Sequence, residues 1–92
     1  MKTWEDYKEY VKENDADAYK DLKETEEIAH IITAMINQRN ALGLSQRQLA
    51  KICGLPQSSI ARIECLKTVP NLRTLLNIFD HLGLSLTVDQ LN

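Results

Sequence analysis

The chain has 92 residues, with 11 Lys+Arg against 13 Asp+Glu and a formal charge of −2. That length suits one small domain with an arm, and so small a core favours self-association or a partner. Three Gly and two Pro argue against a loop-rich or all-β protein, and no apolar run approaches the ~20 residues of a membrane helix. The opening Met1-Lys2-Thr3-Trp4-Glu5-Asp6 has no apolar stretch behind its lysine, unlike a secretory signal. Cys53 and Cys65 make neither a disulfide framework nor a CxxC zinc spacing, so reduced thiols and a cytoplasmic setting are expected. His30 and His81 stand far apart without a nucleophile motif, and there is no Gly-rich phosphate loop or HxxxH pair. An enzyme, a metal or a cofactor is therefore not expected. The i, i+4 spacing pairs His30 with Glu26 on the surface.

The net charge hides a split. Residues 1–27 hold five Lys and ten acids, net −5, whereas residues 28–92 hold six bases and three acids, net +3. Phosphate contact depends on local charge, so the split keeps nucleic acid open and suggests different partners for the two parts. A solvated acidic helix face beside a neutral core fits the same numbers.

Residues 3–13 read as a short amphipathic helix capped by Thr3, with Asp6 in the capping-box place. Trp4, Tyr7 and Val11 share one face and Tyr10 lies beside them. Asn14-Asp15-Ala16-Asp17 reads as a break, followed by a short helix over 17–24 carrying Tyr19 and Leu22. A stronger helix over 25–41 has the stripe Ile28, Ile31, Ile32, Met35, Ile36, and Gly43 stops it. Ser45-Gln46-Arg47-Gln48 is a capping box, opening a helix of about eight residues with Leu49, Ala50 and Ile52 inward and Gly54 as its stop. A second short helix starts at Pro56 or Gln57, anchored by Ile60 and Ile63. Two short helices around a Gly-containing turn read as helix-turn-helix. Leu66 to Pro70 is a loop. Asn71 caps a last helix with the stripe Leu72, Leu75, Leu76, Phe79, ended by Gly83. Leu84-Ser85-Leu86-Thr87-Val88 alternates at period two and predicts one short strand, which needs a partner strand.

The outer face of the second short helix has the chemistry of a base reader. Gln57, Ser58, Ala61 and Arg62 point away from Ile60 and Ile63. Gln pairs bidentately with adenine and Arg with guanine, and Ser58 and Ser59 are small enough to let the helix sit deep in a groove. The same Gln and Ser would also suit an ordinary solvated helix start.

Leu44-Ser45-Gln46-Arg47-Gln48-Leu49-Ala50 followed by Gly54-Leu55-Pro56-Gln57-Ser58-Ser59-Ile60-Ala61-Arg62-Ile63-Glu64 resembles the Xre/Cro-type helix-turn-helix family of phage repressors and bacterial antitoxins. The resemblance covers about residues 28–83. It implies an all-α, lambda-repressor-like five-helix bundle, here with an N-terminal helical extension and the C-terminal strand. It further implies that Gln46 contacts phosphate and braces the first reader, and that Gln57, Ser58, Ser59 and Arg62 meet DNA. Lys67 and Thr68 match phosphate-contacting loop positions, and Arg39 and Glu64 match an ion pair. Two departures stand out. Pro56 replaces a capping Ser or Thr, and Cys65-Leu66 replace the usual turn residues. Cys53 sits where a small buried hydrophobe belongs.

The acidic arm and the ending Leu82-Gly83-Leu84-Ser85-Leu86-Thr87-Val88 resemble the antitoxins of HigBA-type toxin–antitoxin pairs. That resemblance divides the chain into a toxin-binding arm, 1–24, and a DNA-binding domain with a dimerisation strand, 25–92. It implies a homodimer on double-stranded operator DNA that represses its own operon and neutralises a basic, RelE-like/HigB-type messenger-RNA-cleaving toxin. Trp4, Tyr7, Tyr10, Val11, Tyr19 and Leu22 would anchor that toxin, with acids steering the encounter. Three other readings stay open at this point: an arm folded on its own chain with Trp4 buried, a stand-alone Xre-type repressor without a toxin, and an interaction module without DNA affinity.

Overall fold

The computed structural model describes residues 3–91, all helix and connecting segment. The helices are α1 (Trp4–Asn14), α2 (Ala16–Ala41), α3 (Gln46–Cys53), α4 (Gln57–Glu64) and α5 (Leu72–Leu82). Two compact units share them, Met1–His30 and Ile31–Asn92, and α2 contributes residues to both.

Each boundary has a local cause. The Asp6 amide donates to Thr3 Oγ1 at 3.0 Å, and the Thr74 amide to Asn71 Oδ1 at 2.8 Å. Ser45 makes the full capping box, its Oγ accepting from the Gln48 amide while Gln48 Oε1 accepts from the Ser45 amide. Asp15 serves two helices. Its amide donates to the Val11 carbonyl, ending α1, and its carboxylate accepts from the Ala18 amide, starting α2. Pro56 gives α4 no side-chain cap, so that helix relies on the proline's preset φ.

Three helix ends use the same dipeptide. Gly43, Gly54 and Gly83 take φ of 70°, 71° and 73°, and the Leu after each donates back to a carbonyl five residues earlier: Leu44 to Arg39, Leu55 to Ala50, Leu84 to Phe79. This is the Schellman stop, which needs a left-handed residue. α4 ends the same way without glycine. Leu66 stands at φ 61° and Lys67 donates to the Arg62 carbonyl at 2.9 Å. A leucine there costs roughly 1–2 kcal/mol relative to glycine.

The second unit packs α3 against both α4 and α5. Met35, Leu49, Ile60, Ile78 and Leu82 are fully buried at its centre, with Ile32, Ala50, Cys53, Ile63, Leu75 and Phe79 around them. Two side-chain amides satisfy carbonyls left open at helix ends: Gln38 Nε2 donates to Leu82 and Asn77 Nδ2 to Cys53. Burial pushes the Cys53 thiol pKa up, in keeping with an inert small hydrophobe.

Four sequence expectations need correction. The strand at 84–88 is absent: no strand occurs among the described residues, and 84–91 carries no regular structure. Alternation alone does not make a strand without a second strand to pair with. Separate helices over 17–24 and 25–41 are one helix, because no Gly or Pro interrupts the chain between them. Ile52 is exposed, because the inward face of α3 is Leu49, Ala50 and Cys53. The buried stripe of α5 is Leu75, Ile78, Phe79 and Leu82, while Leu72 and Leu76 face out. The chain is all-helical as expected, but the five helices among the described residues include α1, so a five-helix bundle with a further N-terminal helical extension does not form.

Candidate nucleic-acid interface

α3, the turn at Gly54 and α4 form a helix-turn-helix. Ile60 and Ile63 fasten α4 to the core. With those two inward, the 3.6-residue period turns Gln57, Ser58 and Arg62 outward. All three are exposed, while Ser59 and Ala61 are half-buried. No side-chain hydrogen bond or ion pair holds Gln57, Ser58 or Arg62 among the described residues. The Schellman end of α4 puts Lys67 and Thr68 directly behind Arg62, both exposed.

The charge of the chain around this element is one-sided. From residue 28 to residue 79 the chain contains one acid, Glu64, and six bases. Arg39 cancels Glu64, leaving Arg47, Lys51, Arg62, Lys67 and Arg73, all exposed. Neither α3 nor α4 has an acid in its own first turn. Whole-unit charge obscures this, because Asp80 and Asp89 lie outside the stretch.

Glu64 joins three helix ends. Arg39 grips it with a fork, Nε to Oε2 at 2.8 Å and Nη2 to Oε1 at 2.9 Å, while Arg39 Nη1 donates to the Leu44 carbonyl at 2.8 Å. Gln46 Nε2 also donates to Glu64 Oε1, at 3.0 Å. The end of α2, the start of α3 and the end of α4 are thus tied through one carboxylate. Sequence reasoning missed the Gln46 link, which spans 18 residues and leaves no local pattern.

The first unit has a separate surface. Val11 is the buried residue of α1, whereas Trp4, Tyr7 and Tyr10 are 50%, 40% and 52% exposed. Tyr19 and Leu22 are half-buried. Trp4 and Tyr7 stack with centroids 5.7 Å apart, and Lys12 and Lys23 lie 5.7 and 6.0 Å from the Tyr19 ring centre. Polar contacts join α1 to α2. Glu26 accepts the Trp4 indole N–H at 2.6 Å and Lys8 Nζ at 3.1 Å, and Lys8 also pairs with Glu5. Glu26 hydrogen-bonds Trp4 and Lys8, and His30, which the sequence spacing pairs with it, adds a weaker coulombic attraction. Trp4, expected in one reading to be buried, is half exposed.

These bonds set a pH response. The Trp4 and Lys8 hydrogen bonds, with His30 adding a weaker favourable field, hold the Glu26 pKa below the usual glutamate range, and Glu26 raises that of Lys8. A carboxylate with a lowered folded pKa contributes stability above its unfolded pKa and loses it as pH falls through the folded value. The Trp4 indole N–H resonance is therefore expected to shift with a midpoint below the ordinary glutamate range, and Glu26→Gln should abolish that step. A midpoint at the ordinary value would mean the bonds contribute nothing in solution.

Among the described residues no helix is long and apolar enough to cross a membrane. Residues 35–88 match the family model HTH_3, described as Helix-turn-helix. The chain is 43% identical over 58 residues to a protein of Haemophilus influenzae named an uncharacterized HTH-type transcriptional regulator. That match covers 63% of this chain and 59% of the relative, so the chain spans well under two thirds of the relative's length. No solved structure matches significantly. The matched segment runs from the end of α2 past α5 and takes in the whole α3–turn–α4 element, over more than half the chain, and on that ground the protein is a member of the helix-turn-helix family HTH_3.

Proposed function

We propose that the chain is a DNA-binding transcriptional regulator that inserts α4 into the major groove. The observation behind this is the pairing of free Gln57, Ser58 and Arg62 side chains with a surface whose one acid between residues 28 and 79 is buried against Arg39. In this reading Gln57, Ser58 and Arg62 meet base edges, Ser59 allows close approach, and Lys67 and Thr68 hold phosphate. Gel shift on the chain's own promoter tests it, and no shift at low salt would refute it. Lys67→Ala is expected to weaken binding to every duplex and flatten the plot of log affinity against log salt by about 0.9. An unchanged slope would remove Lys67 from the phosphate set.

The finer reading is a homodimer that represses its own operon and serves as the antitoxin of a RelE-like/HigB-type toxin. Two copies would place their α4 helices ~34 Å apart, and the exposed Leu72 and Leu76 of α5 offer one apolar surface for self-association. Toxin capture falls to residues 1–24, favoured by the exposure of Trp4, Tyr7 and Tyr10 within a segment of net charge −5 at residues 1–27. Aromatic anchors ringed by acids complement a basic surface. Replacing Trp4, Tyr7 and Tyr10 together by Ala is expected to leave promoter binding intact and abolish growth rescue from a small basic toxin encoded beside this gene. Rescue that survives the change would leave the stand-alone repressor as the better reading.

A further inference from the structure

α5 turns a mixed strip toward solvent. Leu72, Arg73, Leu76 and Asp80 are exposed on it, while Leu75, Ile78, Phe79 and Leu82 pack inward. Arg73 and Asp80 stand seven residues apart, about 10.5 Å along the helix axis and only ~20° around it. They therefore share one flank of the strip, with Leu72 on the other and Leu76 between. Neither Arg73 nor Asp80 has an ion pair or a side-chain hydrogen bond among the described residues. Beside them the chain after Gly83 leaves a groove of about 530 Å³, bounded by Arg73, Leu76, Asn77, Asp80, Leu84 and Leu86. The groove thus combines apolar walls with one charge of each sign.

We propose that this face docks a second copy of the chain, α5 against α5 and antiparallel, about a twofold axis passing beside Leu76 and Asn77. The inference rests on the homodimer reading above and names its contact surface. The order of the charges selects this occupant. A twofold axis perpendicular to both helices reverses their direction and keeps each flank on its own side. Arg73 and Asp80 lie equally far on either side of the Leu76–Asn77 bond, so Arg73 of each copy meets Asp80 of the other. The single chain is unable to make that contact, because its own two groups are two turns apart. A parallel pair would instead set Arg73 against Arg73 and Asp80 against Asp80, which repels. DNA is a poorer occupant, since Asp80 repels phosphate. At the centre, Leu76 of each copy enters the other's groove toward Leu84 and Leu86.

Sedimentation equilibrium of the full chain without DNA, over roughly 1 μM to 1 mM, tests it. The wild-type chain is expected to pass from monomer to dimer in this range. Arg73→Asp and Asp80→Arg should each weaken the dimer about 10-fold by setting like charges together. These two changes move the net charge in opposite directions, so a general charge effect would not weaken both. The double exchange, Arg73→Asp with Asp80→Arg, should restore association to within about 3-fold of wild type. All three variants should keep the circular dichroism of the wild type, since both positions are exposed. A dimer unchanged by either single variant would overturn the proposal and leave the homodimer reading to another surface. A double exchange no stronger than the single variants would overturn it as well. A wild-type chain that stays monomeric would overturn the homodimer reading together with it, and would leave this face to a different protein.

Discussion

Glu64→Ala is expected to lower the stability of the chain by about 3 kcal/mol, the low end of what breaking a buried ion pair costs. The low end applies because the two side chains retain 12% and 6% exposure. The loss is not the strength of the bonds removed. It comes from leaving the Arg39 guanidinium desolvated with one remaining acceptor, the Leu44 carbonyl, while Gln46 loses its anchor. A domain of this size is stable by roughly 5–15 kcal/mol, so the change reaches a large fraction of the total. Urea unfolding followed by far-UV circular dichroism reads it. Replacing both partners, Arg39→Met with Glu64→Leu, should recover most of the loss, since a buried pair and an apolar pair of similar size are often equivalent. A single-variant loss below about 1 kcal/mol would mean that water screens the pair as it does on a surface.

Gln57→Ala should cost about 1–3 kcal/mol in affinity for the preferred duplex, roughly 5- to 150-fold, and relax preference at one base position. Gln57 is the first residue of α4 and is exposed. Its side chain has no competing partner among the described residues. Removing it leaves the anchors Ile60 and Ile63 in place, so the melting temperature should hold. Competitive gel shifts with the preferred and a random duplex separate the outcomes. Equal loss on both would make Gln57 a backbone contact.

The parts of the fold legible in the sequence are those decided within a few residues. Thr3, Ser45 and Asn71 cap the helices they precede because a short polar side chain reaches an amide three residues on. Gly43, Gly54 and Gly83 mark stops because the left-handed turn excludes most other residues. What was lost depended on neighbours distant in sequence. In α5, Leu72-Leu75-Leu76-Phe79 and Leu75-Ile78-Phe79-Leu82 have the same helical spacing, and only the packed partner selects the second. The 84–88 alternation shows the same limit, because strand formation depends on a second strand. In the candidate site, Gln57, Ser58 and Arg62 could be read from their phase against Ile60 and Ile63. The Gln46–Glu64 link and the Glu26 contacts join residues 18 to 22 apart and could not.

Amide chemical-shift mapping of the isotope-labelled chain during titration with a random-sequence duplex tests the central claim most directly. The largest shifts are expected at Gln46, Gln57, Ser58, Arg62, Lys67 and Thr68, and raising the salt should reverse them. Shifts confined to α5 or to the Trp4–Tyr10 face, with the α4 amides unmoved, would contradict the assignment of α4 as the helix that meets DNA.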